Sequence, residues 1–239
     1  MCYQPRAKMK IVSIEKAPRG GKFKISFCAE GASASGGDEC EEMILSKEVF
    51  VDYGLRRNDE ISDGTLRKIK DSQLYHDTYL AAMRLLNYRM RTRHELVQRL
   101  RQKKFATDVI DRVMDKLASL GLIDDSRFAE AFVSEKISSK PVGKRELERK
   151  LREKGISRET ASNAILPVSD DSTQFELALE AAKVKLRSLR KFDSDKREEK
   201  LIAFLARRGF DWDIIKKVVH RSAAERVHSE NGGFDAGDL

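Results

Sequence analysis

From about residue 73 onward, apolar side chains recur at intervals of three and four, the spacing of one face of an α-helix. Leu96, Val97 and Leu100 fall on one such face, and Val109, Ile110, Val113, Met114 and Leu117 on the next. Thr92 and Glu95 form a T-x-x-E capping box, which places a helix start at 92. Phe105 closes that helix, and Gly121 suits the position just past the end of the following one. Before residue 73 the pattern changes. Ile11 and Ile14, then Phe23, Ile25 and Phe27, give a partial alternation over 9–14 and 22–28, which predicts two short strands joined by a Pro-Arg-Gly-Gly turn. The Gly/Ser-rich segment 30–39 reads as a flexible loop, 41–54 as a third strand with a short helix, and 62–73 as the opening of a helix.

The helical pattern repeats. Residues 95–114 align without gaps to 146–165 and to 200–219. Leu96, Leu147 and Leu201 correspond, as do Leu100, Leu151 and Leu205, and then Phe105, Ile156 and Phe210. Asp108, Glu159 and Asp213 fall in the first turn of each closing helix, where a negative charge favours the helix dipole. Each unit is preceded by a further helix, around Tyr79–Tyr88, Asp125–Ser138 and Phe175–Leu189. The expected fold is therefore mainly α: three tandem three-helix repeats in an elongated curved array, preceded by a small N-terminal β element. The expected boundaries are 1–62 for the β-containing extension, 63–122, 123–168 and 169–224 for the three repeats, and 225–239 for a disordered polar tail.

Charge sharpens this picture. Residues 1–63 carry 10 basic and 11 acidic side chains, whereas the rest of the chain carries 37 and 28. Basic charge gathered on the helical part points to a nucleic acid or nucleoprotein partner. The three cysteines, Cys2, Cys28 and Cys40, form no C-x-x-C pair, and the odd count argues for reduced thiols and the cytosol. No apolar run approaches the roughly 20 residues needed to span a bilayer.

The repeat L-x-x-[KR]-x-[FI], the joining segment LGLIDDSRFAEAFV at 120–133 and KPVGKRELERKLREKGI at 140–156 resemble the RecX family, bacterial regulators of the recombinase RecA. VFVDYGLRRNDEI at 49–61 resembles the N-terminal extension of many of its members. The resemblance spans roughly residues 45–221. It implies a monomer that binds RecA and the RecA filament on single-stranded DNA. It also implies inhibition of ATP hydrolysis and strand exchange without catalysis or cofactor, and at most weak direct contact with DNA.

The basic residues singled out as a partner or nucleic-acid surface are Arg89, Arg91, Arg93, Lys140, Lys144, Arg145, Arg149 and Arg152. Most lie at the two junctions before the middle helices, where a helix start favours an anion. Arg93 and Lys144 share a repeat position held by Glu198 in the third unit; Arg101 and Arg152 share another, held there by Ala206. Tyr88 and Trp212 are candidates for base stacking, whereas Phe128 and Phe132, four apart, read as core. The acids of 36–42 read as a solvated loop, and the four histidines lack zinc-ligand spacing. A second function class stays open: direct DNA binding by helix-turn-helix-like units. An enzyme, such as a nuclease, is disfavoured because no carboxylate or histidine constellation has a useful spacing.

Overall fold

The computed structural model of the chain describes residues 8–18, 21–29 and 40–231. The centre of the predicted hairpin turn (19–20), the loop 30–39, Cys2 and the tail beyond 231 lie outside the described residues. The chain is mainly helical, with a small strand element at its N-terminal end, and divides into two compact units. Unit 1 holds Met1–Arg89 and Leu96–Leu120; unit 2 holds Met90–Glu95 and Gly121–Leu239.

In unit 1, strands β1 (Met9–Lys16), β2 (Phe23–Ala29), β3 (Cys40–Leu45) and β4 (Glu60–Ile61) form an antiparallel sheet in the order β3-β2-β1-β4. Period-2 alternation turns Ile11, Ile25, Phe27 and Leu45 inward, and they pack with Val49, Leu66 and Ile69 from the helices that follow. The short helix α1 (Lys47–Asp52) is capped by Ser46, whose backbone N–H donates to the buried Gln73 side chain at 2.8 Å. The two helices expected at 62–73 and 79–88 are one: α2 runs from Asp63 to Tyr88. Residues 65–88 contain neither Gly nor Pro, so nothing interrupts it. Helix α2 packs on α4 (Thr107–Ser119), where Arg112 meets Asp71 at 2.8 Å and lies over the Tyr75 ring.

One sequence expectation is corrected here. Cys28 and Cys40 face each other on β2 and β3 and form a disulfide. The odd cysteine count carried no information about this pair, because strand register rather than sequence spacing brings the two residues together.

Unit 2 contains α5 (Asp125–Ser139), α6 (Lys144–Glu153) and α7 (Arg158–Ile165), followed by a 3-10 turn at Leu166–Val168. Then come α8 (Asp171–Leu189), α9 (Ser194–Arg207) and α10 (Trp212–Asn231). The last helix thus runs through Asn231, beyond the boundary at 225 expected for the tail. Two apolar cores lie in this unit. Phe128, Leu147, Leu151 and Ile165 belong to one, and Leu177, Leu201, Leu205 and Val218 to the other.

The middle helix of each three-helix repeat ends in the same way. Helix α3 (Arg93–Gln102), α6 and α9 are followed by a residue of positive φ: Lys104 at 66°, Gly155 at 77° and Gly209 at 82°. These residues donate to Arg101, Arg152 and Ala206, and the next N–H groups, of Phe105, Ile156 and Phe210, reach back to Leu100, Leu151 and Leu205. This is the Schellman pair of hydrogen bonds, repeated three times, with the hydrophobic residue that usually accompanies it.

The two glycines meet a second constraint that Lys104 escapes. A Cβ on Gly155 would lie 2.2 Å from the Cβ of His94 in the first turn of α3. On Gly209 it would lie 2.4 Å from the Glu146 amide in the first turn of α6. The fit is mutual, since a Cβ on Gly143 would lie 2.3 Å from the Gly209 carbonyl oxygen. Hydrogen bonds close both contacts. Thr92 caps α3 through the Glu95 amide and donates its hydroxyl to the Lys154 carbonyl at 2.7 Å, while Lys154 reaches Glu95 at 2.5 Å. Gly143 donates to the Arg208 carbonyl at 2.8 Å, and Arg145 to that of Gly209 at 3.2 Å. Helix α9 departs from its counterparts in starting four residues earlier, at Ser194 where the repeat offset places Glu198, with Asp193 as its cap.

Gly155→Ala and Gly209→Ala should each cost about 2–5 kcal/mol in urea denaturation, from left-handed backbone strain plus overpacking. Lys104→Gly, at the same turn without the contact, should change stability by no more than about 1 kcal/mol. A Gly209→Ala protein as stable as the wild type would contradict the seating. Glu146, 15 % exposed, is held below its ordinary pKa of 4.5 chiefly by the Arg149 guanidinium that hydrogen-bonds it, with Lys150 adding to the effect. Its stabilising contribution is complete above that ordinary value and is lost as pH falls through the depressed folded one. The stability gap between wild type and Glu146→Gln should therefore be full at neutral pH and close as acid denaturation is carried below 4.5. Reduction of the disulfide should lower the stability of the strand element by about 3 kcal/mol, as a loop of this size predicts, measured with and without dithiothreitol.

Candidate binding surface

The junction before α6 is built by the contact just described. Lys140 ends α5 as an exposed C-cap, and the Pro141 carbonyl accepts from Arg208 at 3.0 Å. Gly143 is seated on the α9–α10 turn, and the Lys144 amide donates to the buried Gln174 side chain at 3.0 Å. Gln174 in turn donates to the Val168 carbonyl, so α8 fixes where α6 begins. The start of α3 is held in a parallel manner: the Arg93 amide donates to the Asp125 carboxylate at 2.9 Å.

The structure separates the eight predicted basic residues by what their charges do. Arg145 pairs with Asp211 at 2.5 Å. Arg149 is clamped between Glu146, at 2.7 Å, and Glu153, an arrangement that raises its pKa chiefly through the Glu146 hydrogen bond. Both side chains stay exposed, Arg145 at the helix start and Arg149 in mid-helix, but each has a carboxylate beside it. Lys144 and Arg152, by contrast, take no part in the ion pairs of the described residues and line one groove. Lys140 is exposed. Arg91 and Arg93 are half-buried in unit 2, and Arg89 is exposed in unit 1.

The groove between α6 and α7 was not expected from the sequence. Its volume is about 620 Å³. Ile156, Ala161 and Ile165 form its floor, Leu166 its lip, and Lys144, Arg152 and Arg158 its cationic rim, with Glu148 as the one acid lining it. Leu166 is 69 % exposed there. A smaller groove of about 350 Å³ lies between α9 and α10. Its lining corresponds through the repeat offset: Glu198 replaces Lys144, Trp212 replaces Arg158, Ile215 replaces Ala161 and Val219 replaces Ile165. The middle groove is the larger of the two, and alanine stands in it where the other two repeats carry Ile110 and Ile215. A small residue at an otherwise bulky repeat position was the signal available in the sequence.

The aromatic candidates also separate. Phe128 is buried and Phe132 packs partly against the same core, as expected. Tyr88 is 84 % exposed at the end of α2, and Trp212 is 53 % exposed with the Lys216 ammonium over its ring at 5.6 Å. In the third repeat several cations lie over rings: Lys185 and Arg208 over Phe204, and Lys191 and Lys200 over Phe192. No helix of the described residues is long and apolar enough to cross a membrane.

Comparison with known proteins gives these elements their family. Residues 79–117 match the first three-helix domain of RecX, 124–165 the second and 172–219 the third. The regulatory protein RecX of Clostridioides difficile (strain 630) is 31 % identical over 179 residues, covering 75 % of this chain and 84 % of that protein. That of Chlorobium phaeobacteroides (strain BS1) is 43 % identical over 138 residues, 58 % of this chain and 88 % of that one. A crystal structure of regulatory protein RecX superposes with a TM-score of 0.68 at 23 % identity, covering 88 % of this chain and 98 % of that one, and so shares the fold. The structure of RecX from Lactobacillus salivarius gives 0.57 at 27 %, covering 63 % of this chain and 97 % of the other. With all three three-helix domains matched in order, the chain belongs to the RecX family of regulatory proteins.

Proposed function

We propose that this protein regulates RecA by binding, attaching to the RecA filament on single-stranded DNA and slowing its ATP turnover and strand exchange. The observation that carries the reading is the ordered match of all three three-helix domains to RecX. The basic residues at the start of α3 and α6 supply charge for a polyanionic nucleoprotein surface. In this reading the protein acts as a monomer, in the cytosol where the filament assembles, and uses no cofactor or catalytic group. Arg89, Arg91, Arg93, Lys140, Lys144 and Arg152 carry the contact. Arg145 and Arg149, paired with carboxylates, contribute less. The repeated basic positions favour a second reading, direct binding of DNA without RecA.

ATP hydrolysis by RecA on saturated single-stranded DNA, titrated with the protein, separates the two, with binding to bare DNA followed in parallel by fluorescence polarisation. Inhibition well below one protein per RecA, with weak binding to bare DNA, is the expected result. Tight binding to bare DNA without inhibition would establish the second reading instead. Replacing Lys140, Lys144 and Arg152 together with alanine should weaken filament binding about tenfold, a loss of about 1.4 kcal/mol. Arg149→Ala should change it far less. If those cations meet phosphates, the salt slope should fall by about 0.7 per side chain removed.

A further inference from the structure

The α6–α7 groove has a composition that neither a solvated helix face nor a phosphate-tracking stripe requires. Its floor is apolar and recessed, with Ile165 at 1 % and Ile156 at 4 % exposure, while Leu166 stands open at the lip. Its rim carries three cations against one carboxylate. A nucleic-acid backbone would use the rim and leave the floor empty. A peptide bearing a bulky apolar side chain between acidic neighbours would use both, burying the anchor over Ala161 and placing carboxylates against Lys144, Arg152 and Arg158.

We propose that the groove of the middle repeat, between α6 and α7, is a docking site for an acidic peptide segment with one apolar anchor residue, presented by a protein partner. The corresponding groove between α9 and α10 is an internal comparison. There Ile215 fills the place of Ala161, and Glu198, Trp212 and Ala206 replace the three rim cations. The first repeat keeps two of the cations, Arg93 and Arg101, but carries Thr107 and Ile110 where the middle repeat has Arg158 and Ala161, so the middle repeat alone combines all three rim cations with the small floor residue. The groove's ligand class follows from its own lining; only the identification of the partner with the RecA filament rests on the proposed function.

The repeats also supply the test variant. Ala161→Ile installs the residue that the other two repeats accommodate at this position, so it should fill the groove while preserving the fold. Methyl resonances of Ile156, Ile165 and Leu166 would be followed by NMR during titration of the full chain with a short synthetic peptide, one leucine flanked by glutamates. Oligodeoxythymidylate would be titrated in a separate series. Saturable peptide shifts, weakened at least about tenfold by Ala161→Ile and by Arg152→Ala with Arg158→Ala, are expected. Trp212→Ala should leave them unchanged. The absence of peptide shifts, wild-type affinity in Ala161→Ile, or tighter perturbation of these methyls by the oligonucleotide would each overturn the proposal. Filament binding by the same proteins addresses the partner separately. Wild-type protein that fails to bind filaments would sink the functional reading while leaving the peptide result to judge the groove. Ala161→Ile that loses the peptide but binds filaments normally would remove the filament as the groove's partner.

Discussion

The seating of a helix start on a left-handed turn is the constraint on which the helical part of this protein depends. A Schellman turn presents its backbone at close range only if the residue of positive φ has no side chain, and Gly155 and Gly209 meet that condition. What settles onto each turn is the beginning of another helix, that of α3 on the first and that of α6 on the second. The two contacts use different chemistry for one purpose. At Gly155 the bonds run through side chains, the Thr92 hydroxyl and the Lys154–Glu95 ion pair. At Gly209 backbone meets backbone, and Gly143 gives up a side-chain cap to make that approach possible. The position and direction of α6 follow from this contact, and with them the placement of Lys144 and Arg152 beside α7.

The same geometry sorts the basic residues. A helix as rich in charge as α6 must spend part of it on itself. Arg149 and Lys150 satisfy Glu146, Lys154 satisfies Glu95, and Arg145 is tied to Asp211 on the neighbouring turn. These pairs are surface or half-buried interactions of modest individual worth. Arg145–Asp211 ties the first turn of α6 to the neighbouring turn, and Lys154–Glu95 ties its end to the start of α3. The remaining cations of α6, Lys144 and Arg152, line the groove together with Arg158 of α7, where Ala161 leaves room. One helix therefore divides its positive charge between residues paired with carboxylates and residues that line the groove.

Much of this was legible in the sequence because it is written in local periodicity. The three repeats, the Thr92 cap and the inward Phe128 all follow from spacing and residue type. Features set by partners distant in the chain were not legible. The two-residue strand β4 exists through its pairing with β1 about fifty positions earlier, and the Cys28–Cys40 bond depends on strand register. Arg145 finds its carboxylate in Asp211, far along the chain, and the room in the groove goes with an alanine whose meaning emerges when the three repeats are compared. A list of basic residues read from the sequence treats all cations alike; the fold distinguishes those with a carboxylate beside them from those without.

Lys104 gives the repeat a boundary mark. It adopts the conformation of Gly155 and Gly209, yet it is exposed and bears a long side chain that forbids another helix start from resting on its turn. Evolution by duplication of a three-helix unit would leave this kind of trace. The copies on whose turn a neighbouring helix start rests, the second and the third, keep glycine, while the first copy is released from that selection and drifts to a soluble residue. The number of glycines at this spacing, read from sequence alone, then counts the packed junctions of a repeat protein rather than its repeats.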